Sequence, residues 1–281
     1  MDTIRLLLEH GADIQAVDDK HYTPLHLAAN QGNFAATQLL VKNGAVVDVP
    51  DETGWTPLHH ASRGESPSII QLLLNHGADI QAIDDGHNTP LHISANQGKL
   101  ATTQLLVERG AAVNARDNTG KTPLHHALRT ESSDIVRFLL EHGADIRAVD
   151  DKHNTPLHIA ANLGNLAPAR LLVEKGAIVH ARDHKNWTPL HDASFNGHPD
   201  IIRLLLDHRA DADAESVNND TPLHIAVIGG NLEAARLLLA RGANVLAQDK
   251  AHRTPLQLAL KKGNQEFIDL LSMYVRSRRR L

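Results

Sequence analysis

Thr23-Pro24-Leu25-His26-Leu27-Ala28-Ala29 is the stretch on which the fold turns, because its opening recurs. Thr-Pro-Leu-His begins again at Thr56, Thr89, Thr122, Thr155, Thr188 and Thr221, and Thr254 opens the same motif with Gln257 in place of histidine. Each start lies 33 residues after the last, with no insertion. A fixed period of this length marks an array of stacked repeats. Framed from Asp18, eight units start at residues 18, 51, 84, 117, 150, 183, 216 and 249. Residues 1–17 precede them.

Each unit has a physical reading. Thr23 suits a helix N-cap, and Pro24 suits the first helical position, where a missing N–H costs nothing. Leu25, Leu27, Ala28 and Ala29 give a short helix with a small face, which Gly32 ends in a left-handed conformation. A second helix carries Leu39, Leu40 and Val41 and ends at Gly44. The polar, turn-rich stretch from Ala45 to Trp55 reads as a projecting hairpin loop. Neither helix can bury its apolar face alone, so neighbouring units must stack into a continuous core.

Thr-Pro-Leu-His followed by Leu-Leu-x-x-Gly-Ala resembles the ankyrin repeat family along the whole chain. The resemblance implies an all-α solenoid of helix-turn-helix units with projecting β-hairpin or loop fingers. It also implies a concave face of finger tips and first helices that binds protein partners. In the family, the motif histidine ties the threonine hydroxyl to neighbouring loops. Asn114 stands where ankyrin proteins can be hydroxylated by an asparaginyl hydroxylase, and no other unit has Asn there.

A longer period overlies the first. Residues 18–83 and 84–149 match at 41 of 66 positions, whereas 18–50 and 51–83 match at only 11 of 33, so a pair of repeats was the module that multiplied. Units one and three share Asn-Gln-Gly (Asn30, Asn96), and units two and four share His-His (His59, His60; His125, His126). Residues 1–17 read as a second helix and loop without a first helix. Ile4 and Leu7 would then lack part of their packing, so the expectation is a fragment or a start lying upstream. The repeats are expected to span residues 18–275. The tail at 276–281, with four arginines, reads either as a nuclear or acidic-partner signal or as a solvated terminus.

Composition narrows the function. Net charge is −5, and −9 without the tail arginines, which argues against nucleic-acid binding. The chain has no cysteine, which excludes disulfides and fits a reducing compartment. Met1–Arg5 reads unlike a secretory signal, and no apolar run approaches the roughly 18 residues of a membrane span. The expectation is an intracellular, cytoplasmic monomer with no membrane insertion; the tail leaves a nuclear location open. Of the 20 histidines, seven lie in the repeated motif. Four (His10, His76, His142, His208) precede the helix-ending position, and four (His21, His87, His153, His252) occupy a turn position. None has metal-ligand spacing. The Asp18-Asp19, Asp84-Asp85 and Asp150-Asp151 pairs lack the other oxygens of a calcium loop and read as turn residues. There is no phosphate-binding Gly-rich loop, nucleophile elbow or cysteine nucleophile, so no catalytic residue, cofactor or metal is expected.

Two positions read as partner contacts. The residue before each motif threonine runs Tyr22, Trp55, Asn88, Lys121, Asn154, Trp187, Asp220, Arg253, and it holds both tryptophans. Tryptophan and tyrosine dominate binding hot spots, although an aromatic here can also simply lie on the next finger. At the end of the first helix the early units are polar, and then Leu163, Phe195 and Ile228 follow on consecutive units. The expected contact set is Tyr22, Trp55, Lys121, Leu163, Trp187, Phe195, Ile228 and Arg253, centred on repeats five to seven, with the alternative that Phe195 only covers its neighbour. The joint between repeats six and seven reads as strained or flexible. There Arg209 replaces glycine, Ala212 a larger aliphatic, and Ser216 the aspartate that opens every other unit.

Overall fold

The computed structural model describes residues 2–278 and is all-helical, with seventeen helices and no strand among the described residues. The chain divides after Asp145 into two compact halves. The first contains α1 (Asp2–Glu9), α2 (Pro24–Asn30), α3 (Phe34–Lys42), α4 (Pro57–Ser62), α5 (Pro67–Asn75), α6 (Pro90–Asn96), α7 (Leu100–Glu108), α8 (Pro123–Ala127) and α9 (Ser133–Glu141). The second contains α10 (Pro156–Leu163), α11 (Leu166–Glu174), α12 (Pro189–Asn196), α13 (Pro199–Asp207), α14 (Pro222–Gly229), α15 (Leu232–Ala240), α16 (Pro255–Lys262) and α17 (Gln265–Arg278).

Threonine and proline begin every first helix as their chemistry requires. Each motif threonine has extended backbone at the N-cap, and proline follows at N1. The N3 residue, histidine in seven units and Gln257 in the eighth, completes the capping box. The motif leucines from Leu25 to Leu223 are fully buried, as are Leu40, Leu73, Leu106, Leu139, Leu172, Leu205, Leu238 and Leu271 on the second helices. Each such leucine contributes about 2 kcal/mol of burial. Ala61, Ala127, Ala160, Ala193, Ala226 and Ala259 occupy one buried register of the first helices. Their small size lets α2, α4, α6 and α8 pack in series, and likewise α10, α12, α14 and α16. Leu27, by contrast, points out and is exposed.

The fingers take the loop form of the two the resemblance allowed: they are turns, with no strand among the described residues. The opening aspartate organises each turn: Asp18 Oδ1 accepts from the Lys20 and Tyr22 amides at 2.9 Å each, and Asp84, Asp117, Asp150, Asp183 and Asp249 repeat this. His21, His87, His153 and His252 take φ of 56–59° at the tip, as their turn position suggests. One backbone bond ties each finger to the next: Glu52 to Lys20, Asp85 to Thr53 and Asn118 to Gly86 in the first half, and His184 to Lys152, Val217 to Lys185 and Lys250 to Asn218 in the second. His10, His76, His142 and His208 cap helix ends by donating from Nδ1 to the carbonyl four residues back, at 2.8–2.9 Å.

At the N-terminal end, Leu6 and Leu7 on α1 are exposed. At the other end, α17 continues through Met273 and Tyr274 to Arg278; the rest of the basic tail, 279–281, lies outside the described residues.

The joint between repeats six and seven is strained at one residue. Arg209 has φ of +63°, where its counterparts are glycines. Ser216 is no defect: its Oγ accepts the Asn218 and Asp220 amides at 3.1 Å each, reproducing the aspartate's turn bonds. Ala212 is only half-buried, as are most of the aliphatics at that position, so the shorter side chain forfeits less than full burial. Arg209→Gly is therefore expected to raise the unfolding free energy by about 1 kcal/mol, read from urea denaturation, with an unchanged m-value.

Candidate protein-binding site

The motif histidines are structural, and their geometry shows how. In repeat one the Thr23 amide and hydroxyl both donate to His26 Nδ1, at 3.0 and 2.8 Å. Nδ1 must then be the acceptor, so Nε2 carries the hydrogen and donates to the Trp55 carbonyl of the next finger at 3.1 Å. His59 reaches the Asn88 carbonyl and His92 the Lys121 carbonyl in the same way. In the second half His158 reaches Trp187, His191 reaches Asp220, and His224 reaches Arg253. Burial disfavours the imidazolium and outweighs the raising effect of the carbonyls that accept from Nε2, so the pKa values of these six histidines fall, to about 4 for His92 and His191.

A second histidine marks repeats two and four. His60 donates to Asp51 Oδ2 at 2.9 Å, and His126 to Asp117 Oδ2 at 2.8 Å, each pair nine residues apart. Burial alone would raise the Asp117 pKa, but bonds from His126 and Thr119 and the turn amides hold it at about 2. Repeat six has Asp183 and Asp192 at the same two places. Asp192 Oδ2 is sealed from solvent and has no hydrogen-bond partner among the described residues. Burial, and then the Asp183 carboxylate, push the Asp192 pKa well above the usual carboxylate range, with Lys185 opposing.

The tryptophans also differ. The Trp55 indole donates from Nε1 to Asp84 Oδ2, the aspartate that opens the following repeat, at 3.0 Å. Its ring stands 5.1 Å from His60, and Arg63 lies over it at 5.7 Å. Trp187 faces Ser216 in the corresponding place, a side chain without a carboxylate, and its Nε1 has no partner among the described residues. The Trp187 ring stacks on His191 at 6.0 Å and lies 5.7 Å from Phe195, which is 40% exposed. Leu163 and Ile228, on the flanking helices α10 and α14, are exposed as well. Leu163 stands one residue beyond the position that Phe195 and Ile228 share; the residue of α10 in that register is Asn162.

Of the other candidate contacts, Tyr22 is half-buried against His26 and His60, at 5.9 and 5.1 Å. Lys121 is half-buried, and its carbonyl accepts from His92. Arg253 is committed to its own finger, pairing with Asp249 Oδ2 at 2.7 Å. Asn114 bridges to the next repeat, donating to the Gly143 carbonyl at 2.9 Å and accepting from the Asp145 amide at 2.8 Å. Among the described residues no group of three or more His, Cys, Asp or Glu could hold a metal ion, and no helix is long and apolar enough to cross a membrane.

The family model described as ankyrin repeats (3 copies) matches residues 1–84, 82–150, 147–216 and 210–277. The chain belongs to the ankyrin repeat family. Ankyrin repeats generally serve as protein–protein interaction modules and are typically non-enzymatic. A search of curated proteins gave no match. Within this ankyrin chain, Asp192 and Ser216 are the residues that sequence reading passed over as site determinants. The signal for Asp192 was its contrast with His60 and His126 at the same position.

The buried groups give the pH response a definite sign. Each lowered histidine binds its proton less readily folded than unfolded, so stability is complete above the ordinary pKa of 6.5 and is lost as pH falls from there toward 4. Asp192 acts oppositely: its raised pKa makes the folded chain hold a proton that the unfolded chain releases above 3.8, so this residue costs stability as pH rises. Asp192→Asn is expected to melt several degrees above wild type at pH 7, with the gap closing near pH 4; calorimetry at both pH values checks this.

Proposed function

We propose that this chain is a non-catalytic scaffold that recruits a protein partner through its finger tips and first helices, with the principal contact in repeats five to seven. The observation that carries this is the exposed Phe195 ring against Trp187, whose indole N–H has no partner among the described residues. Ile228, in the same register on the next first helix, adds exposed apolar surface, and Leu163 is exposed one residue beyond that register on α10. An aromatic pair presenting both a large face and an open donor is the composition of a binding hot spot. Tyr22, Trp55, Lys121 and Arg253 are secondary: Trp55 and Arg253 already spend their polar groups on neighbouring aspartates. The partner is a protein, the chain acts as a monomer, and no nucleic acid or cofactor takes part. An intracellular, cytoplasmic setting suits a chain without cysteine.

The test is affinity capture with the full chain, followed by titration of the recovered partner. The Trp187→Ala/Phe195→Ala double variant is expected to weaken binding by about thirtyfold, the equivalent of 2 kcal/mol. Glu174→Ala, on the exposed end of α11, is expected to leave it unchanged. Full affinity in the double variant would overturn the assignment.

A further inference from the structure

Repeat six departs from repeats two and four at sites that fall on one face, and each departure leaves something open. Asp192 replaces the histidine that closes the pair with the opening aspartate, and its Oδ2 is left without a partner. Phe195 replaces the arginine of repeats two and four, Arg63 and Arg129, so an exposed ring stands where a cation stood. Ser216, opening repeat seven, withdraws the carboxylate that would bind the Trp187 indole. Asp192 and Phe195 are three residues apart on α12 and so share one face of the helix. In repeat two the same register sets Trp55 5.1 Å from His60, and Asp192 holds the sequence position in repeat six that His60 holds there. The result, among the described residues, is a half-buried carboxyl with one oxygen sealed from solvent and unpartnered, an indole donor without an acceptor, and two aromatic rings 5.7 Å apart.

A buried carboxyl without a partner is costly, and a positive group relieves it. We propose that this face takes a basic side chain of the protein partner, an arginine above all, which bonds to Asp192 and stacks on the Trp187–Phe195 pair. The proposal rests on the partner-binding role given to this face above. Arginine fits better than lysine because its planar guanidinium offers several N–H donors to a carboxylate while its face covers an aromatic ring. The ring already attracts a cation: Lys185 Nζ lies 5.5 Å from the Trp187 centroid. Lys185 forms no ion pair with Asp192, and the Asp192 side chain is only half-buried, so the incoming group meets the carboxylate at Oδ1 and not at the sealed Oδ2. The Trp187 indole would then donate to a backbone carbonyl of the bound segment, and apolar residues flanking the arginine would lie on Phe195 and Ile228. A divalent cation is the weaker occupant, since the described residues supply no third ligand.

The probe is the tripeptide acetyl-Leu-Arg-Leu-amide, titrated into the nitrogen-15-labelled full chain. Its neutral isostere, with citrulline in place of arginine, is titrated in parallel. The two indole N–H resonances serve as reporter and control: Trp187 is expected to shift and Trp55 to stay still. Citrulline, Asp192→Asn and Asp192→His are each expected to weaken the response by about tenfold. Both variants keep the fold, because the first removes an unpaired acid and the second restores the Asp–His pair of repeats two and four. Equal binding of the citrulline peptide, equal binding by Asp192→Asn, or a stationary Trp187 resonance at about 10 mM peptide would overturn the proposal. The recovered partner separates this from the broader assignment. If Trp187→Ala/Phe195→Ala abolishes its binding while Asp192→Asn preserves it, the face binds without a basic anchor, and only this proposal falls. If the double variant retains the partner while the arginine peptide still depends on Asp192, the basic site stands and the partner-binding assignment falls.

Discussion

Within each half of the chain, a single neutral imidazole joins one repeat to the next. Its Nδ1 takes the threonine amide and hydroxyl at the start of its own helix, while its Nε2 donates to the carbonyl of the following finger. The arrangement works only with the proton on Nε2, because a second hydrogen would face two donors. Burial enforces that state by making the charged ring unfavourable. A side chain that satisfies polar groups on both sides of a joint leaves no buried donor or acceptor unmatched there. The motif is therefore both the N-cap of a short helix and the hinge pin of the stack. Gln257, in the eighth repeat, does the first job alone, taking the Thr254 amide on Oε1 at 2.8 Å.

Once the joints are fixed, the packing follows from side-chain size. Alanines in one register of the first helices permit close approach, and leucines on both helices fill the space between layers. Short connections then reach back across the joints. Asn231 donates to the Ser194 carbonyl at 3.2 Å and also to that of Phe195, closing the end of α12. Gly197 accommodates this approach: a Cβ there would lie 2.4 Å from Asn231 Oδ1, and its φ of +73° favours glycine. The core thus depends on nearest-neighbour contacts, and the outer face of the first helices is free to vary.

That freedom is where function enters. Repeats two and four spend their variable positions on closing polar pairs, Asp51 with His60 and Asp117 with His126. Repeat six spends the same positions on Asp192 and Phe195, and its tryptophan loses the carboxylate that holds Trp55. Leaving groups unmatched lowers the stability of the isolated protein and increases what a complementary partner can gain. The departure from the repeat, more than the repeat itself, carries information about binding.

The sequence alone determined the repeat, its period, the helix starts and ends, and the leucine and alanine core, because those depend on local capping and on spacing that recurs every 33 residues. It also located the exposed aromatic and aliphatic residues of repeats five to seven, since apolar groups at a polar register stand out by comparison. Only the tertiary structure separated Trp55 from Trp187, because the acceptor that distinguishes them comes from the next repeat, 29 residues on. It likewise showed Ser216 to be a sound turn residue and Asp192 to be a carboxyl with one oxygen sealed and unpartnered among the described residues. Whether a polar atom is satisfied depends on what lies across the joint. Local pattern fixes the first atom of a hydrogen bond, and only packing supplies or withholds the second.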